Sequence, residues 1–275
     1  MNIDILVCTI DDNINKVCKV LLPVNPSINY IISWQRTNNK IIELPESLER
    51  KDVFIVELEG RGLSRNRNNA LKHATSDICL IADDDVEYNI NGIKSLLNYY
   101  ENNPEVDVVT YKFTSIKNAK KHPNFPFELK HAPKGYNVSS IEISFRREKI
   151  QGIIQFNELM GLGSPFSGCG EDNLFILDCL AHRLNCRYIP INVVHHEEES
   201  TGRAQGGAKK VVFARGILTR IYNPYLYPLK YIWLARSIKI NHNVAFLPTL
   251  LTLFKGGIYA RKNGMLKYNI KKIFS

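Results

Sequence analysis

Three short, nearly continuous apolar runs constrain the fold of this chain more than any other feature. Residues 3–9 read IDILVCT, residues 29–34 NYIISW and residues 77–82 DICLIA. Such runs suit strands buried on both faces, as in parallel sheets covered by helices. Helix-compatible stretches at 13–22 and 63–74 separate them, the second with apolar marks at Leu63, Ala70, Leu71 and Ala74, and residues 55–58 add a short strand. Strand and helix alternate, so the expected architecture is α/β, a mostly parallel sheet with helices on both faces. Farther along, the pattern predicts a helix over 92–100, a strand over 106–113, a polar loop over 114–137 and an alternating strand over 141–145. A glycine-rich turn over 161–170, an amphipathic helix over 171–184 and a last strand over 188–194 follow.

Open sheets of this kind bind ligands beyond the carboxyl ends of their strands. Thr9, Asp11 and Asp12 follow the first strand, Ser33 and Gln35 close the second, and Asp83, Asp84 and Asp85 follow DICLIA. Three successive carboxylates repel one another unless water or a cation separates them. An acidic turn is one reading of such a triplet; placed after a buried strand, it suits Mg²⁺ or Mn²⁺, which take one or two carboxylates together with substrate phosphates. Residues 60–68, GRGLSRNRN, run from a glycine turn into a helix with three arginines, and a helix start with guanidinium forks favours phosphate over a merely solvated basic face. No G-K-[ST] or G-x-G-x-x-G is present, which argues against P-loop NTPases and dinucleotide-binding dehydrogenases.

Glu171 and Asp172 open a helix after the GCG turn, as caps or with one of them as a general base for a hydroxyl. His195 and His196 end the last strand and precede Glu197, Glu198 and Glu199. This is either a solvated turn or a source of one imidazole ligand, since adjacent side chains point apart.

At these four places the sequence resembles the family 2 glycosyltransferases of the GT-A, Rossmann-like nucleotide-diphospho-sugar transferase fold. GLSRNRNNA followed by DICLIADDD carries the resemblance, supported by GCGED and a later histidine, over residues 3–199. It implies a divalent metal, Mn²⁺ or Mg²⁺, on Asp84 and Asp85 with His196 or His195, and Asp83 toward the ribose. It also implies a donor site at Thr9, Asp11, Ser33, Gly62, Arg67, Asn68, Asp83 and Asp84, with a UDP-sugar favoured. Asp172 becomes the catalytic base of a single inverting displacement, and Glu171 helps place a saccharide or lipid-linked saccharide acceptor. Residues 1–200 would form the transferase domain, with 1–105 the nucleotide-sugar half and 106–200 the acceptor half. Here the chain departs from its relatives: CTID replaces the usual P-x-[YF]-N, and Ala82 stands where many have the first acid of D-x-D-D.

Charge sets the last 75 residues apart. Residues 201–275 hold fourteen Lys and Arg and no Asp or Glu, while residues 1–200 hold 22 basic against 27 acidic side chains. Tyr222, Tyr225, Tyr227, Tyr231 and Trp233 are interleaved with the cations, and apolar stretches follow. A basic helical tail that associates with an anionic membrane surface fits this pattern; single-stranded nucleic acid and a packed helical subdomain are the rivals. The opening residues enter a strand at once, the apolar stretch 244–254 falls short of the about 20 residues that span a bilayer, and the six cysteines form no C-x-x-C pair. The expectation is a cytoplasmic protein, peripheral on the inner face of the membrane, in surface polysaccharide or glycolipid assembly, with no nucleic-acid partner. The alternative is a non-catalytic nucleotide- or membrane-binding protein on the same fold.

Overall fold

The computed structural model describes residues 1–38, 40–115, 120–196 and 205–274. They pack as two compact units, Met1–Phe156 with Asp172–Glu198, and Asn157–Glu171 with Glu199–Ser275.

The first unit is built on one sheet, of nine strands among the described residues. In chain order these are β1 (Ile3–Ile10), β2 (Ile28–Arg36), β3 (Val53–Glu59), β4 (Ile78–Asp83), β5 (Glu87–Tyr88), β6 (Val108–Thr114), β7 (Phe127–Glu128), β8 (Ile143–Arg146) and β9 (Cys186–His195). They lie in the order β3-β2-β1-β4-β8-β6-β9-β5, with β7 paired to β9 off that path. Strands β3, β2, β1 and β4 are mutually parallel, as are β6 and β9. The expected mostly parallel α/β sheet is found, reversed at β8 and at the two-residue strands β5 and β7.

Side-chain alternation sets the layers. Ile3, Ile5 and Val7 of β1 face one side, in one apolar cluster with Ile14, Val17, Val20, Ile93, Leu96 and Tyr100. Leu6 and Ile31 face the other, against Ala70, Leu71, Phe175 and Cys179. Ile14, Val17 and Val20 come from a 3-10 helix, Asp11–Val20, and the other helical side chains from α1 (Leu63–His73), α2 (Ile90–Asn102) and, after the short α3 (Arg147–Ile150), α4 (Glu171–Ala181). Asn89 caps α2 by accepting from the backbone N–H groups of Asn91 and Gly92.

Two expectations change. Where an α-helix over 13–22 is predicted, the chain forms a 3-10 helix, Asp11–Val20. Its buried Ile14, Val17 and Val20 recur every third residue, a spacing that three residues per turn stacks on one side. The stretch 114–137, expected as loop, contains β7 and a 3-10 turn at Leu129–His131. Phe127 stacks on Tyr188 at 4.7 Å and meets Tyr136 edge-on, so aromatic packing holds a segment that looks polar in sequence.

The second unit holds α5 (Lys209–Tyr222), α6 (Tyr227–His242), α7 (Phe246–Lys262) and a single turn, α8 (Ile270–Ile273). Val212, Tyr231, Ala235, Ile238 and Leu253 form its core. Helices α5 and α7 cross at glycines: a methyl on Gly216 would strike the Leu253 carbonyl, and one on Gly256 the Phe213 carbonyl. The Tyr231 hydroxyl donates to the Gly216 carbonyl at 2.7 Å. Among the described residues no helix is long and apolar enough to cross a membrane.

Candidate active site

Strands β2 and β3 continue the sheet on one side of β1 and β4 lies on the other, so the order of the chain reverses between β1 and β4. Ligand crevices in open α/β sheets form at such a switch point. Register sets Cys8 of β1 beside both Ser33 of β2 and Asp83 of β4, and Thr9 and Asp84 follow. The Thr9 hydroxyl bridges the crevice and donates to Asp84 at 2.6 Å.

The acidic triplet is arranged so that each carboxylate has a different partner. Asp83 accepts from Arg67 at 3.1 Å. Arg67 is 1% exposed, also donates to the Ser140 hydroxyl at 2.7 Å, and lies over the Phe156 ring. Asp85 lies 3.3 Å from His196 Nε2, and that hydrogen bond holds its carboxyl below the usual range. Asp84 is pushed up to about 6, first by burial, then by the charges of Asp85 and Asp83, against the opposing hydrogen bond from Thr9. Burial is the larger cause, the two neighbouring carboxylates add to it, and the Lys16 charge opposes it.

Of the two histidines, the structure brings His196 to the triplet. His195 instead meets the Thr114 hydroxyl through Nδ1 at 2.9 Å, while the His196 N–H donates to the Thr114 carbonyl. Glu197, Glu198 and Glu199 lie outside the described residues. Among the described residues no group of three or more His, Cys, Asp or Glu converges on one point that could hold a metal ion. Of the groups gathered here, the oxygens of Asp84 and Asp85 are the ones chemically suited to a hard divalent cation.

Helix α1 is tied to the strand ends by asparagines. Gly60 and Gly62, at φ 87 and 135, make the turn that leads into it, and the Gly62 carbonyl accepts from Gln35. Asn66 donates to the Thr9 carbonyl at 3.0 Å, and Asn69 to the Ser33 hydroxyl at 2.8 Å. Asn68 donates to the Phe156 carbonyl at 2.9 Å and accepts from the Phe156 N–H at 2.8 Å. Beyond β1, Asp11 sits at φ 46 and accepts from both the Thr37 hydroxyl and its N–H, which lowers its carboxyl further with help from Arg61 and Arg36.

Gly170, at φ 94, turns the chain into α4, where Glu171 and Asp172 are the first two residues. Glu171 is buried and Asp172 half-buried. The boundary between the units falls between them, Glu171 counting with the second and Asp172 with the first. Asn66, Thr37, Ser140, Thr114 and Lys16, whose charge acts on Asp84 and Asp85, are absent from the sequence reading. Only Asn66 left a signal there, as one of three asparagines in RNRNN.

Fold and crevice together define a GT-A-like α/β protein. Residues 35–162 match the profile of glycosyl transferase family 2, which bears out the resemblance read from the sequence. The match contains Arg67, Asn68 and the triplet, and ends before Glu171 and Asp172. Among solved structures, the fold is similar to that of S. aureus TarS, with 17% identity and a TM-score of 0.53 over 99% of this chain and 46% of that one. It is also similar to TarS 1–349 in complex with UDP, with 16% identity and a TM-score of 0.55 over 99% and 77% of the two chains. For TarS 1–349 in complex with UDP-GlcNAc, the values are 15% and 0.51 over 100% and 78%. The chain thus spans about half the length of the first of these, and at such identities the likeness concerns the fold. The curated proteins contain no match to this sequence.

Proposed function

We propose that the protein is an inverting, metal-dependent glycosyltransferase that moves a sugar from a UDP-sugar to an acceptor hydroxyl in surface polysaccharide or glycolipid assembly. The observation that carries this reading is the triplet at the β1–β4 crevice, with Asp84 bound by Thr9, Asp83 by Arg67 and Asp85 by His196. The family match over residues 35–162 supports the reaction class, and the UDP and UDP-GlcNAc bound to TarS favour a uridine donor.

In this reading Asp83, Thr9, Asp11, Ser33, Gly62 and the α1 start with Arg67 and Asn68 line the donor site. Asp84 and Asp85 would hold Mn²⁺ or Mg²⁺ with diphosphate oxygens, and His196, nearer than His195, would complete the protein's share. Such an ion supplies charge compensation for the departing diphosphate. Asp172 takes the proton of the acceptor hydroxyl as that oxygen bonds to the anomeric carbon and the bond from that carbon to the diphosphate oxygen breaks. Glu171 helps place the acceptor, a saccharide or lipid-linked saccharide. The basic residues 201–275 bring the enzyme to an anionic membrane surface on its cytoplasmic side.

Thermal unfolding with a panel of nucleoside diphosphates, with Mn²⁺ present or chelated, tests the donor site. A uridine nucleotide at about 100 times its Kd stabilises by about 2.7 kcal/mol. The expected shift requires Mn²⁺ and vanishes in the Asp84→Ala, Asp85→Ala double variant. No shift with any nucleotide, in a folded sample, would overturn the reading. Asp172→Asn is expected to keep the shift and lose turnover.

A further inference from the structure

In the second unit, helix α6 carries an exposed apolar stripe. Tyr231, Ala235 and Ile238 face its core, and the opposite side carries Leu229 (67% exposed), Trp233 (68%) and Ile240 (73%). These three recur at i, i+4 and i+11, which at 3.6 residues per turn places them within about 40° of one another. Arg236 lies in the same stripe, and Lys230 and Lys239 flank it on opposite sides; all three are exposed.

We infer that this face of α6 is an interfacial docking surface for an anionic lipid bilayer, with Leu229, Trp233 and Ile240 entering the boundary between headgroups and chains. The inference deepens the reading of the basic tail as membrane-seeking and names the residues that enter. Tryptophan suits that boundary, and Lys and Arg stems can lie along apolar surface while their charges reach headgroup phosphates. A second copy of the chain is a poorer occupant. Pairing two such faces would oppose Arg236, Lys230 and Lys239 with their own counterparts, and residues 201–275 hold no carboxylate to offset them. A phosphate backbone would use the cations and leave the apolar stripe in water.

The chain has two tryptophans, Trp34 being 2% exposed, so an emission change on vesicle binding reports chiefly on Trp233. The experiment mixes the full chain with vesicles of phosphatidylcholine containing phosphatidylglycerol, and with phosphatidylcholine alone. Co-sedimentation and tryptophan emission are read out. The expected result is partitioning to the anionic vesicles with a blue shift, and at least about tenfold weaker partitioning in the Leu229→Glu, Trp233→Glu, Ile240→Glu variant. Lys230→Glu, Arg236→Glu, Lys239→Glu is expected to weaken it as strongly, while both variants keep the unfolding temperature and uridine diphosphate response of the parent. Wild-type failure to bind anionic vesicles would overturn the inference, as would equal binding by parent and stripe variant. So would a dimer or an oligonucleotide complex that the stripe variant alone abolishes without any vesicle binding. If the nucleotide response is absent while vesicle binding behaves as expected, the transferase reading fails and the docking face stands.

Discussion

Asp84 pits stability against binding within one side chain. Its carboxyl holds a proton up to about pH 6 in the fold against 3.8 for an ordinary aspartate, so ionisation costs folded stability as pH rises from about 4 to about 6. The two-unit shift corresponds to about 3 kcal/mol, and partial exposure reduces it toward about 1. Asp84→Asn, which still accepts from Thr9, is therefore expected to be more stable than the parent by about 1–3 kcal/mol at pH near 7.5 and equal to it below about pH 4. Urea unfolding at both pH values measures this, and an asparagine variant no more stable at the higher pH would contradict it. Asn68 makes the opposite case. Its amide is engaged on both sides by the Phe156 backbone, so Asn68→Ala should cost about 1–3 kcal/mol of stability and, by loosening the start of α1 at the donor site, raise the donor KM. A donor KM that stays at the parent's value would remove Asn68 from the donor site. The carboxylates at the strand ends are legible because topology points there, but sequence could not tell Asp84 from Asp4. Asp4, within β1, is fully buried and accepts from the Ser76 hydroxyl and the Thr75 N–H. Tertiary hydrogen bonding, which leaves no mark in the sequence, is what ties Asp4 into the fold.

The strands and α1 could be read from their apolar runs because burial on both faces leaves a pattern no surface loop imitates. The segment between β6 and β8 could not, since what orders it is remote in sequence. Glu142, fully buried before β8, accepts from Lys120 and from the Ser139 N–H. His122 also lies 3.3 Å from Glu142, but burial and the charges of Lys120 and Lys112 push it down to about 4, so Lys120 is the compensating cation near neutral pH. Lys120→Met would strand a buried carboxylate and is expected to cost about 3 kcal/mol or more, read by chemical denaturation. Adding Glu142→Gln to that variant should recover much of the loss; no recovery would mean that Lys120 acts through packing alone. Because Ser140 accepts from Arg67, the same lesion should also weaken nucleotide binding. The crossing of α5 and α7 was equally invisible, because a glycine inside a helical pattern usually reads as a defect. Gly256→Ala drives a methyl against the Phe213 carbonyl, so it should lower the melting temperature of the helical unit despite the better helix propensity of alanine.

At the scale of the molecule, charge and packing draw different lines. Charge changes character at residue 201, beyond which no acid occurs. Packing places Asn157–Glu171 with the helices that follow, although those residues lie inside the acidic part of the sequence. Within that unit the Phe166 ring meets Phe213 and Tyr259, the Lys210 ammonium reaches the Ser164 carbonyl, and Gly170 lies against Leu218 and Met160. These contacts explain why a glycine-rich stretch, GLGSPFSGCG, is ordered where sequence shows only a turn: its partners on the helices lie 46 to 93 residues later in the chain. A chain ending at residue 200 would keep Met160 and Phe166 but lose Leu218, Phe213 and Tyr259, leaving apolar side chains in water just before the Glu171–Asp172 step. Such a truncation is expected to bind a hydrophobic dye, elute as aggregates and give no nucleotide-dependent stabilisation, even though β1–β9 and the acidic triplet remain in the chain. Size-exclusion chromatography with dye fluorescence decides it. A monodisperse truncated chain with the parent's nucleotide response would mean that residues 157–171 hold their place without the tail, and that the tail's role lies wholly at the membrane.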